Sequence, residues 1–128
     1  MTHRWALSGS SMYPFGTGWT AEVAPGPVQR GDFVVYLDAH GRTIGHRLHG
    51  VADGWLYVRG DTVGPEPPVP ASALIGRVVA LERGPLRLVV PRDGAIGALW
   101  RRLGLGWAAV ARRYVTERAR WRRDRVKV

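Results

Sequence analysis

The sequence predicts a mainly β body of about 90 residues followed by a basic, amphipathic α-helix. The length of 128 residues favours one compact body. The 17 glycines and 9 prolines are typical of many turns between short strands. From about residue 94 onward, apolar side chains recur at helical spacing. We therefore divide the chain into a β domain over residues 1–93 and a basic helix with its tail over residues 94–128.

Several strands are predicted along the β domain. Residues 32–38, DFVVYLD, form an apolar, β-branched and aromatic run that is typical of a buried strand. Residues 43–51, TIGHRLHGV, alternate after a turn and predict the returning strand of a hairpin. Residues 55–61, WLYVRGD, predict a third strand. Residues 72–91 predict one or two more, opened by a short helical turn.

Two segments are predicted to lie mainly in loops. Residues 17–30, TGWTAEVAPGPVQR, are rich in glycine, proline and threonine, and predict a loop with a short edge strand. Residues 62–70, TVGPEPPVP, cannot hold a regular ladder because proline lacks the N–H donor.

The charge is concentrated at the C-terminal end. The whole chain has a formal net charge of +9. Residues 1–97 hold nine Lys/Arg and eight Asp/Glu, whereas residues 98–128 hold ten Lys/Arg and two Asp/Glu, a net of +8. The single lysine is Lys127, which leaves the β domain without a lysine base. The absence of cysteine excludes disulfides, thiolate metal sites and cysteine nucleophiles.

The C-terminal helix has three interpretations. It packs on the β domain with a solvated arginine end, or it lies on an anionic membrane surface through residues 98–128. Nucleic-acid binding is the least favoured because no base-reading motif accompanies the charge. The helical apolar positions are Leu99, Trp100, Leu103, Trp107, Val110, Ala111 and Tyr114. We find no signal peptide and no apolar run of about 18–20 residues, which predicts a cytoplasmic or peripheral membrane protein.

Two adjacent serines in the segment ALSGSSMYPFG are candidate nucleophiles. A serine hydroxyl needs a neighbouring base, and spacing alone does not choose between Ser10 and Ser11. Among the histidines, His46 and His49 lie three residues apart on one strand and point to opposite faces. They therefore do not form a shared metal site, and we expect no cofactor. An orienting acid must come from elsewhere, and Asp61 and Glu66 are the candidates.

Taken together, these motifs resemble the signal peptidase I superfamily of serine peptidases, which also includes self-cleaving repressors. The resemblance covers roughly residues 6–81. It is carried, in order, by SGSSMYP, RGDFVVY, GHRLHGV, WLYVRGD and IGRVV. It implies a coiled β-sheet or partial barrel, and an endopeptidase that cleaves a peptide or precursor protein after small residues.

The resemblance also assigns roles to residues. The serine before methionine is the nucleophile, which selects Ser11, and GHR places a histidine base at His46, as in the histidine branch of the superfamily. Asp61 matches the Gly-Asp motif, while Glu66 lies near the usual position of the orienting acid. The remaining assignments are to the oxyanion hole and substrate-binding positions: Gly9, Ser10 and Met12.

Three features depart from the family pattern. Ten residues precede Ser11, too few for an N-terminal membrane anchor, and Phe15 and Gly16 replace the usual Thr-Leu. The C-terminal helix is not part of the standard catalytic core. These departures keep open a second hypothesis, a catalytically inactive β module that binds an extended peptide or docks at a membrane.

Overall fold

The computed structural model describes residues 2–9, 11, 12, 14–63 and 66–126, and the side chains of the C-terminal helix as far as Arg113. The described elements are β1 (His3–Ala6), β2 (Thr20–Ala24), β3 (Phe33–Leu37), β4 (Thr43–Ala52), β5 (Trp55–Arg59), β6 (Val69–Pro70), a 3-10 turn (Ala71–Ala73), β7 (Leu74–Arg83), β8 (Leu86–Val89) and α1 (Gly94–Val126).

The strands form one curled, antiparallel half-barrel sheet, which confirms the predicted mainly β fold with a C-terminal helix. The strand order is β1-β2-β7-β3-β4-β5-β6, and β8 also pairs with β7. The prediction of an edge strand within residues 17–30 was wrong in position, because β2 lies between β1 and β7. Both edges of β2 are therefore hydrogen-bonded, and Ala21 and Val23 are buried in the core.

Strand β3 separates two clusters of the hydrophobic core. Phe33 and Val35 belong to one cluster, and Val34 and Tyr36 belong to the other. This division follows from the alternation of side chains along a strand. In the β3–β4 hairpin His46 is paired with Val34. Because paired residues project to the same face of a sheet, His46 lies on the Tyr36 side.

Helix α1 packs on the sheet through small residues. Ala108 and Ala111 are buried, and Gly31 allows a close approach. A Cβ atom at Gly31 would lie 2.6 Å from Cβ of Arg101, and Gly31 has a φ of +96°, which glycine adopts readily. A neighbouring face of α1 exposes apolar side chains over several turns: Ile96, Leu99, Leu103, Trp107 and Val110. In the described part of the chain, no helix has the length and apolar character needed to cross a membrane.

Candidate active site

Ser11 lies in the turn that follows β1. The neighbouring Met12 is buried in the core cluster that contains Phe33. The carbonyl of Ser11 accepts a hydrogen bond from the backbone N–H of Thr62 at 2.9 Å, which ties the turn to the loop after β5. Gly9 begins the turn with a φ of +85° and donates its N–H to Oγ1 of Thr17. These contacts fix the position of the Ser11 backbone.

His46 is brought to Ser11 through Gly60. A Cβ atom added at Gly60 would lie 3.0 Å from Cβ of Ser11 and 3.2 Å from Nε2 of His46. Cβ of Ser11 and Nε2 of His46 are therefore no farther apart than the sum of these two distances. Nε2 is thus the ring nitrogen on the Ser11 side. The same Cβ would lie 2.5 Å from Cγ2 of Val63, so a side chain at Gly60 does not fit without displacement. The Gly-Asp motif thus supplies the space between serine and histidine.

The environment of His46 suits a base. Its side chain is only 7% exposed, and burial lowers its pKa below the ordinary histidine value. The negative charges of Glu66 and Asp61 act in the opposite direction but do not outweigh burial. The imidazole is therefore neutral at neutral pH and able to accept a proton.

Asp61 is held away from His46 by a buried ion pair. Nε and Nη2 of Arg47 donate to the two carboxylate oxygens of Asp61 at 2.9 and 2.8 Å. Nη1 of Arg47 donates to the carbonyl of Gly31 at 2.9 Å. Asp61 is fully buried, and Arg47 is 5% exposed. Because Arg47 and His46 are adjacent in β4, they point to opposite faces, and Asp61 follows Arg47.

The hydroxyl of Tyr36 occupies the position at which an orienting acid is expected. Its oxygen lies 3.1 Å from Nδ1 of His46, and both side chains are buried. Burial raises the pKa of Tyr36 to about 12, with smaller contributions from the charges of Glu66 and Asp38, so the hydroxyl keeps its proton. Glu66 lines a polar pocket of about 280 Å³ together with Ser11, Tyr36 and His46.

A second pocket of about 140 Å³, lined by both polar and apolar residues, opens beside Ser11. Its small volume suits a side chain of few atoms. Met12, predicted as a substrate-binding residue, contributes to its wall. The other large apolar residues that line it are Trp5, Leu7, Phe15, Phe33 and Val35.

The structure thus brings Ser11, His46 and Glu66 to one pocket and places Asp61 on Arg47. Ser10, predicted to contribute to the oxyanion hole, lies outside the described residues. Tyr36 was missed by sequence reasoning. The alternation within the β3–β4 hairpin was the available signal, because it places this residue on the same face as His46.

Comparison with known proteins gives no assignment, since no protein-family model and no curated protein matches the chain. Within the described ranges, no three side chains among His, Asp and Glu gather as metal ligands. Ser11 and His46 are therefore candidate active-site residues on their chemistry and geometry.

Proposed function

We propose that the chain is a serine endopeptidase of the signal peptidase type, which cleaves a peptide or precursor protein after small residues. Ser11 is the nucleophile, and His46 is the general base. The observation that carries the proposal is the convergence of Ser11 and Nε2 of His46 on the space left by Gly60.

In this mechanism Oγ of Ser11 attacks the scissile carbonyl carbon while Nε2 of His46 takes the hydroxyl proton. The developing oxyanion is stabilised by backbone N–H groups around Ser11. His46 then returns the proton to the leaving amine, and the peptide C–N bond breaks to give an acyl-enzyme. A water molecule, deprotonated by the same histidine, attacks the ester and releases the carboxylate product together with Ser11.

The preference for small residues is supported by the small volume of the second pocket beside Ser11. Trp5 and Ala6 of β1 also line this pocket. A substrate peptide that places a side chain in the pocket would therefore run alongside β1. Strand β1 pairs with β2, and within the described sheet no strand pairs with its other edge. An extended peptide can add to such an edge by backbone hydrogen bonds.

The test is cleavage of a fluorogenic peptide containing Ala-x-Ala across a pH series. We expect kcat/KM to be constant at neutral pH and to fall as the pH decreases, because protonated His46 cannot accept the serine proton. Since burial lowers the pKa of His46, the midpoint should lie below about 6.5. Binding of the peptide without turnover at any pH would contradict the proposal and favour the inactive β module.

We also propose that α1 docks the chain on an anionic membrane surface, which would make it a peripheral membrane protein. The exposed apolar face of α1 supports this, because such a face inserts at the headgroup level. The excess of eight positive charges in residues 98–128 adds attraction to anionic lipid.

This second proposal is tested by flotation with vesicles of anionic phospholipid. We expect binding that weakens at high salt and is lost in Leu103→Glu, since Leu103 is 61% exposed and its replacement should not disturb the core. Ala109→Glu adds the same charge on another exposed position of the helix and is the matched control. Equal binding to neutral vesicles, or binding to duplex DNA instead, would contradict it.

A further inference from the structure

The imidazole of His46 lies between the side chains of Ser11 and Tyr36. Nε2 faces the Ser11 side through the space at Gly60, and Nδ1 lies 3.1 Å from the oxygen of Tyr36. Both Tyr36 and His46 are less than one-tenth exposed. The tyrosine is therefore a fixed partner of the ring and not a mobile surface side chain.

A general base at Nε2 requires one particular tautomer of histidine. Nε2 must be unprotonated, so the ring hydrogen must sit on Nδ1 and find an acceptor there. In a Ser-His-Asp triad a carboxylate is that acceptor. Here the two oxygens of Asp61 receive hydrogen bonds from Arg47, and the group at Nδ1 is the Tyr36 hydroxyl.

A tyrosine hydroxyl can accept from Nδ1–H if its own hydrogen points elsewhere. The negative charges of Glu66 and Asp38 act on Tyr36 and favour an O–H directed toward the polar pocket, which these residues line. Asp38 also forms an ion pair with Arg42, which lines the same pocket. Glu66 is the carboxylate whose charge acts on both the hydroxyl of Tyr36 and the ring of His46.

We propose that Tyr36 is the positioning residue for His46: its oxygen accepts a hydrogen bond from Nδ1–H, which leaves Nε2 unprotonated toward Ser11. Glu66 provides the negative charge that stabilises the imidazolium formed when His46 takes the serine proton. This inference rests on the proposed peptidase function. The role of the acid in a Ser-His-acid triad is divided here between the neutral hydroxyl of Tyr36 and the more distant carboxylate of Glu66.

The direct test is the tautomeric state of His46 in the full chain, from the ¹⁵N chemical shifts of its ring at a pH above its pKa. We expect hydrogen on Nδ1 in the wild type. In Tyr36→Phe, which removes the acceptor, we expect the Nε2–H form to become the major one. Tyr57→Phe removes the hydroxyl of an exposed tyrosine on β5 and should leave the His46 signals unchanged.

The second readout is kinetic. Tyr36→Phe should lower kcat about tenfold or more with little change in KM, because the base is in the wrong tautomer while the peptide still binds. Glu66→Gln should move the acid limb of the pH profile to lower pH, because the charge of Glu66 raises the pKa of His46. If Tyr36 had only a structural role, a folded Tyr36→Phe variant would keep both the wild-type kcat and the wild-type tautomer of His46.

Hydrogen on Nε2 in the wild type would overturn the inference, and this spectrum is decisive even if Tyr36→Phe does not fold. An unchanged tautomer in a folded Tyr36→Phe would overturn it as well. Because the spectra need no substrate, absence of peptide cleavage alongside the expected tautomers would count against the peptidase function alone.

Discussion

Ser11→Ala is expected to abolish cleavage, with a fall in kcat of at least about 1,000-fold. The variant removes the hydroxyl that attacks the scissile carbonyl and gives its proton to Nε2 of His46 in the proposed mechanism. His46→Ala should cause a loss of the same order, and the double variant should be no worse than either single one, because the two residues act as a unit. The measurement is kcat on the fluorogenic Ala-x-Ala peptide, with thermal unfolding of each variant recorded in parallel.

Two substitutions serve as controls for this result. The controls are Ser72→Ala, at a residue of the 3-10 turn, and His40→Ala, at a residue of the turn between β3 and β4. Both positions are exposed and should retain wild-type turnover. Substantial cleavage by folded Ser11→Ala would show that another group is the nucleophile, and it would remove the basis of the proposed function.

Asp61→Ala is expected to destabilise the fold by about 3–5 kcal/mol, because it leaves the guanidinium of Arg47 buried without its counter-charge. The measurement is the free energy of unfolding from urea titration. The control is Arg42→Ala, which breaks an ion pair with Asp38 whose arginine is 69% exposed. A surface pair of this kind contributes about 0–1 kcal/mol.

The same variant separates a structural aspartate from a catalytic one. If Asp61 holds Arg47 and not the imidazole, folded Asp61→Ala at low temperature should keep the tautomer of His46. A variant of unchanged stability that has lost turnover would instead identify Asp61 as the orienting acid, in contradiction to the hydrogen bonds of Arg47.

The strands that could be predicted from sequence were those with long apolar runs or clear alternation, such as β3, β4 and β5. Strand β2 was harder to place, because Ala21 and Val23 are few and small among glycines and prolines. Its position inside the sheet depends on pairing with β7, nearly 60 residues later in the chain, and local patterns carry no information on such pairing.

The site shows the same division. The order of the motifs is enough to select Ser11 and His46 as the proposed nucleophile and base. The orienting group could not be selected in this way, because Asp61 follows Gly60 in the sequence without any sign of the face toward which it points. Its partner Arg47 is adjacent to His46 but lies on the other side of β4. Tyr36 is uncharged and lies in an apolar run, so its sequence context indicates a core residue. Side-chain direction and pairing decide these roles, and both arise from the folded sheet.

Two neighbouring residues of β4, His46 and Arg47, make buried side-chain contacts on opposite faces of the sheet. On one face Arg47 is bonded to Asp61 and to the Gly31 carbonyl, with Gly104 of α1 packed directly against its guanidinium. On the other face His46 contacts Tyr36. We therefore expect a displacement of α1 to move Arg47, and with it the strand that carries His46. A side chain at position 104 would collide with the Arg47 guanidinium, so this glycine couples the position of the helix to that of the strand.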